Sequence, residues 1–191
     1  DNSLAKVQPN MWGVFFEDIN FGADGGIYAE LIKNRSFEFA KPLMGWTVKR
    51  AKPNEGDLLV VNRKEVNTAN PRYLQVNNNQ EGLSITNEGF KGIGVKKGLR
   101  YDFSVMYRQA AANVKLRLQL INSKNEVIAE GTLAPEKTGN TWQKQTASFT
   151  ATATDPKAKF SLSFEGKGKI DLDMISLFPG DTWKNRPQGL R

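Results

Sequence analysis

Few residue types in this chain can do acid–base or nucleophilic chemistry. Its 191 residues include no cysteine and no histidine. That excludes a disulfide scaffold, a zinc finger and any Cys or His nucleophile or base. Chemistry must come from carboxylates, lysines, tyrosines or hydroxyls. Two carboxylates stand out by position. Glu17 and Asp18 close an apolar run over residues 11–16 and precede the glycine-rich stretch Gly22-Ala23-Asp24-Gly25-Gly26. The residues alone read this acidic pair as a solvated strand end or a helix N-cap. Gly25-Gly26 lacks the lysine and the serine or threonine of a phosphate-binding loop, so it reads as a tight turn that needs positive φ.

The elements around these residues fall into three parts. In residues 1–35 the apolar run reads as a strand, the acids sit at its C-terminal end, and a turn follows. Ile27 and Leu31, with Tyr28, then share one face at helical spacing. The order strand, carboxylate, loop, helix is the start of a β/α unit, too little to fold alone. Residues 36–178 change texture. Short stretches alternate apolar and polar residues with period two, separated by Gly, Asn, Lys and Pro clusters. VKLRLQL (residues 114–120) is the clearest case, with Val114, Leu116, Leu118 and Leu120 on one side and Lys115, Arg117 and Gln119 on the other. One face is buried and one is wet, as in an antiparallel sheet. Eight to ten such strands predict a two-sheet β-sandwich of the jelly-roll, galactose-binding-like kind. The Ala110-Ala111-Ala112 run lies between two strand signals and reads as a loop. Residues 179–191 are turn-rich and read as a linker back to another element.

Charge narrows the partners. Lys and Arg number 27 against 20 Asp and Glu, a net of +7, and residues 61–191 hold 20 basic and 12 acidic groups. The lysines are spaced along the strands, whereas a nucleic-acid binder gathers them on one face or arm. Solvated strand faces, or an acidic polysaccharide, fit this spacing better, and no nucleic-acid partner is expected. No apolar run reaches the roughly 18 residues of a membrane span. The abrupt start at Asp1-Asn2-Ser3 reads as a processed terminus.

WGVFFEDINFGADGGIYAELIKNRSFEF (residues 12–39) resembles the start of the catalytic (β/α)8 barrel of family 51 glycoside hydrolases, the α-L-arabinofuranosidases. LFPGDTWKNRPQGLR (residues 177–191) resembles the place where that barrel resumes. Between them, Asn34-Arg35-Ser36-Phe37-Glu38, Gly45-Trp46, KGLRYDFS (residues 97–104), Thr141-Trp142 and IDLDMISL (residues 170–177) resemble carbohydrate-binding modules of families 4 and 9. The flanking match is specific; the insert match is diffuse and speaks more to fold than to ligand. The resemblance implies an N-terminal region of a secreted or periplasmic arabinofuranosidase. Such an enzyme removes terminal arabinofuranosyl groups from plant arabinan or arabinoxylan by retaining hydrolysis. Retention needs two carboxylates about 5 Å apart. The family takes both from later barrel strands, so these residues alone are expected to be inactive. Glu17 matches a glutamate that hydrogen-bonds sugar hydroxyls, which suits the C-terminal end of a barrel strand. The expected partners are the plant polysaccharide and the rest of the chain's own barrel. An autonomous polysaccharide-binding module and a purely structural sandwich are the alternatives; the unit in residues 11–35 favours the barrel enzyme, because a free module has no use for it.

A sugar presents an apolar C–H face and a polar rim, so a module offers flat aromatics beside Asn, Gln, Arg and Asp. The aromatic candidates are Trp46, Trp142, Tyr73, Tyr101, Tyr107 and Phe90. Tyr101 and Phe103 alternate like core residues, and Trp46 and Trp142 match core or core-edge positions of the related modules. Tyr73 sits in polar context, after Asn70-Pro71-Arg72 and before Gln75 and the Asn77-Asn78-Asn79-Gln80 run, although that run also reads as a turn. Tyr73 and Arg72 are therefore the expected sugar-binding pair of the sandwich. Related modules also hold a structural calcium. By that resemblance Glu38, Asp171 and Asp173 are its expected ligands; the residues themselves allow simple pairing with lysines such as Lys41 or Lys169.

Overall fold

A computed structural model describes residues 29–50, 56–63, 69–79, 82–183 and 186–187. The described residues form strands and turns and no helix. Eleven strands make two antiparallel sheets. They are β1 (Trp46–Arg50), β2 (Gly56–Asn62), β3 (Arg72–Asn78), β4 (Leu83–Asn87), β5 (Ile93–Val95), β6 (Arg100–Arg108), β7 (Lys115–Ile121), β8 (Val127–Leu133), β9 (Gln143–Thr150), β10 (Asp155–Glu165) and β11 (Gly168–Pro179). One sheet has the order β1-β4-β10-β7-β8, with β5 paired to β10; the other has the order β2-β3-β11-β6-β9. A separate short pair joins β12 (Thr182–Trp183) to β13 (Arg186–Pro187). This is the jelly-roll sandwich expected from the alternation. The count exceeds ten because strands such as the three-residue β5 are too short to show a period.

The pattern that predicted the strands also builds the core. On β7, Leu116, Leu118 and Leu120 are fully buried while Lys115 and Arg117 are exposed. On β6, Tyr101, Phe103, Val105 and Tyr107 turn inward. The sheets meet where Phe103 stacks on Phe160 of β10, with centroids 5.5 Å apart and planes at 23°. Burying each such side chain contributes on the order of 2 kcal/mol.

β11 organises the second sheet. Ile170 and Leu172 face the core; a bulge between Asp173 and Ser176, with Met174 at φ 50°, then resets the alternation so that Ile175 and Leu177 face inward. Asp171, Asp173 and Ser176 are thereby left on the outer face. The pairing of β3 with β11 stops at Leu74 and Leu172. Past that point residues 31–35 take over the edge. The Leu31 N–H donates to the Leu177 carbonyl (3.0 Å), and the Ile175 N–H donates to the Arg35 carbonyl (2.9 Å). Ile32 and Phe37 join the core, and Phe37 stacks on Trp46. Asn34, at φ 55°, fixes the following turn by donating to the Pro42 and Met44 carbonyls and accepting from the Phe39 N–H.

The helical spacing of residues 27–32 is not realised where it is described. Residues 29–32 are non-helical, because Leu31 hydrogen-bonds β11 and not its own preceding turn. The strand, acidic pair and glycine turn expected over residues 11–26 lie outside the described residues.

Candidate functional site

The outer face of the second sheet gathers the polar chemistry. Tyr73 and Gln75 of β3 point outward, between Leu74 and Val76, which are buried in the core. Tyr73 is nevertheless only 5% exposed. Trp142, just before β9, folds over it edge-on with centroids 5.5 Å apart. Two guanidinium groups rest on this aromatic pair. Arg108, at the end of β6, lies 5.0 Å from the Tyr73 ring and 4.9 Å from the Trp142 ring. Arg63, just after β2, lies 5.8 and 5.4 Å from the same rings. Such cation–π contacts fix an aromatic pair without hiding it in the core.

Carboxylates of β11 hold the arginines. Arg108 Nε donates to Asp171 Oδ2 at 2.8 Å, and Gln75 Nε2 donates to Asp171 Oδ1 at 3.2 Å. Arg63 donates to Asp173 Oδ2 at 3.3 Å and to the Asn70 and Pro71 carbonyls. Asp173 also accepts from Asn70 Nδ2 and the Met174 N–H. Burial raises the Asp173 carboxyl to about 6, against the pull of the Met174 N–H and Arg63, and nearby Glu38 adds repulsion. A cavity of about 210 Å³ opens beside this network, with Tyr73, Gln75, Arg108, Asn140, Lys169 and Asp171 among its walls.

The expected site residues are placed unevenly. Tyr73 lines the cavity. Arg72, its neighbour in sequence, does not: its guanidinium donates to the Phe39 carbonyl at 2.8 Å and to the Phe37 carbonyl at 3.4 Å. A period-two strand sends adjacent residues to opposite faces, so Arg72 ties the turn at residues 37–39 to β3 and does not join Tyr73. Glu17 lies outside the described residues. Trp46, Tyr101 and Tyr107 are core residues, and Phe90 is half-buried. Arg63, Arg108 and Asn140 were not picked out by sequence, and Lys169 was named only as an ion-pair partner for the carboxylates. They come from four separate segments, and no local pattern links them.

The three carboxylates expected to bind calcium are not pooled. Asp171 is held by Arg108, Asp173 by Arg63, and Glu38 Oε1 accepts from the Arg72 backbone N–H at 2.6 Å. Glu38 and Asp173 are near enough to repel, but among the described residues no three acidic groups cluster as a cation would need. Guanidinium groups already stand where a metal would, so these residues do not fit the ion. The expected outcome is a melting temperature unchanged, within about 1 °C, by calcium or by chelator. A rise of several degrees on adding calcium would show a site built from other residues.

An aromatic ring, an amide, a guanidinium and a carboxylate line one small concavity on an open sheet face, and these are the side-chain types that sugar sites use. The sequence profile of the carbohydrate binding domain matches residues 29–169, and the chain belongs to that family. The chain is 39% identical, over 98% of its length, to an extracellular exo-α-L-arabinofuranosidase of Streptomyces chartreusis, and spans 22% of that relative. It also superimposes on an arabinose-bound family 51 α-L-arabinofuranosidase with a TM-score of 0.75 at 31% identity, over 92% of this chain and 30% of that one. A family 61 carbohydrate-binding module in complex with β-1,4-galactotriose shares the fold alone, with a TM-score of 0.53 at 17% identity over 78% of this chain and 98% of the module. No helix of the described residues is long and apolar enough to cross a membrane.

Proposed function

We propose that this chain is the carbohydrate-binding region of a secreted or periplasmic α-L-arabinofuranosidase, and that the cavity beside Tyr73 receives one sugar unit of arabinan or arabinoxylan. The similarity to the Streptomyces enzyme across 98% of the chain carries the reading. The cavity supports it in size, because about 210 Å³ is smaller than a drug-sized pocket and suits a single ring. Tyr73, covered by Trp142 and the two arginines, holds the cavity wall in place, and Gln75, Asn140 and Asp171 take the sugar's hydroxyls. The hydrolytic carboxylates of the parent enzyme lie outside these 191 residues, and Glu17 serves the barrel's sugar site, as the resemblance implies.

Titration with arabinan, arabinoxylan and xylan tests this. Saturable binding to at least one polymer is expected. Asn140→Ala, on an exposed loop, should weaken it about tenfold without moving the melting temperature, roughly the loss of one or two rim hydrogen bonds. Tyr73→Ala should abolish it. No binding to any of the three polymers by a folded chain would overturn the proposal in favour of a scaffold domain.

A further inference from the structure

We infer that this sheet face binds an anionic, uronate-bearing polysaccharide in preference to a neutral one; the inference rests on the sugar-binding reading above. The carboxylates that line or flank the face are each matched by an arginine. Asp171 sits against Arg108 at 2.8 Å, Asp173 against Arg63 at 3.3 Å, and Asp102 against Arg100 at 2.9 Å. Asp102 also accepts from Ser148 Oγ at 2.6 Å. Two exposed lysines on the same face have no ion pair among the described residues: Lys169 and Lys144. Each lines a different concavity. Lys169 belongs to the cavity beside Tyr73. Lys144 belongs to a wider one of about 490 Å³ over β6, β9 and the end of β11, where Ser104, Thr146, Ser148 and Ser176 supply hydroxyls.

The register fixes how far apart these two charges stand. Lys144 pairs with Met106, and Met106 pairs with Asp173. Lys169 is four residues further along β11. Two strands across and four residues along put the two Cα atoms on the order of 16 Å apart. No single sugar spans that distance, so one ligand meeting both ammonium groups is a chain carrying at least two carboxylates. Arg108 of β6, paired with Asp171, lies between them. The overall net charge of +7 draws such a polymer in, and the two lysines, as the unmatched charges of the face, select it.

The test is calorimetric titration of the whole chain at about 0.15 M salt, where charges further apart than roughly 8 Å are screened. The probes are de-esterified polygalacturonate, its fully methyl-esterified form, arabinoxylan and polyglutamate. De-esterified polymer should bind at least about tenfold tighter than the esterified form, equivalent to roughly 1.4 kcal/mol. Lys144→Gln with Lys169→Gln should remove that preference. Lys115→Gln with Lys159→Gln, the same charge change on the opposite sheet, should preserve it. Equal affinity for the two pectin forms would overturn the inference. So would an equal loss in the opposite-sheet variant, or polyglutamate binding as tightly as polygalacturonate. In those cases arabinoxylan binding would still stand for the sugar-binding reading; silence of every probe would overturn both.

Discussion

Replacing Glu30 with alanine is expected to destabilise the sandwich by about 3–5 kcal/mol, read as a lower denaturation midpoint. Glu30 is fully buried. Its Oε2 accepts from Ser176 Oγ at 2.5 Å, and its Oε1 accepts from the Leu177 N–H at 2.9 Å and the Ile32 N–H at 3.0 Å. Arg35 stands 3.9 Å away. Alanine would strand two buried N–H groups and a hydroxyl, each costing about 1–3 kcal/mol, and open a cavity. It would also release residues 31–35 from the edge of β11. Glutamine should stay within about 1 kcal/mol of the native chain at neutral pH. One oxygen still serves both N–H groups, the amide can donate to Ser176, and no charge is buried. Burial raises the Glu30 carboxyl above its ordinary range, despite the Leu177, Ser176 and Ile32 bonds that lower it. Native stability through this group therefore falls as pH rises, and the Glu30→Gln chain should lack that trend. An alanine variant as stable as the native chain would refute this account of the clasp.

The second large effect is a pH dependence centred on Asp173. Its carboxyl is raised from 3.8 to about 6 in the folded chain. A raised carboxyl binds its proton more tightly when folded. Its stabilisation is therefore complete below the unfolded value and is lost as pH climbs through about 6. Between pH 7.5 and pH 5 the fold should gain roughly 1–1.5 kcal/mol, or about 3–5 °C in melting temperature for a chain of this size. Asp173→Asn should reduce the slope of that part of the profile, leaving the share that comes from Glu30. The two carboxyls that move the other way, Glu130 through Gln119 and Arg117 and Asp155 through Ser123, change stability below about pH 4.5, outside this window. An unchanged slope between pH 5 and 7.5 in Asp173→Asn would remove Asp173 as its source.

The strands were legible in the amino-acid order because their cause is local. A residue at every second position must face either oil or water, so Leu116, Leu118 and Leu120 declared their face without reference to any partner. The same rule placed Tyr101 and Phe103 in the core, and polar surroundings singled out Tyr73. The absence of cysteine and histidine likewise bounded the chemistry before any fold was known. Pairing is a different matter. Arg72 looked like Tyr73's helper because it is adjacent, yet one step along a strand reverses the face, and the turn at residues 37–39 claimed its guanidinium. Asp171, Asp173 and Glu38 looked like one cation site, yet Arg108, Arg63 and the Arg72 backbone, each remote in sequence from its acid, reached them first. The spacing of Ile27 and Leu31 suited a helix, but the edge left open beside β11 drew Leu31 and Arg35 into backbone hydrogen bonds with that strand, with a turn between them. Only the three-dimensional fold decided those outcomes, because charge neutralisation and edge pairing depend on which groups meet across strands, and that is set by sheet order and register, not by neighbours along the chain.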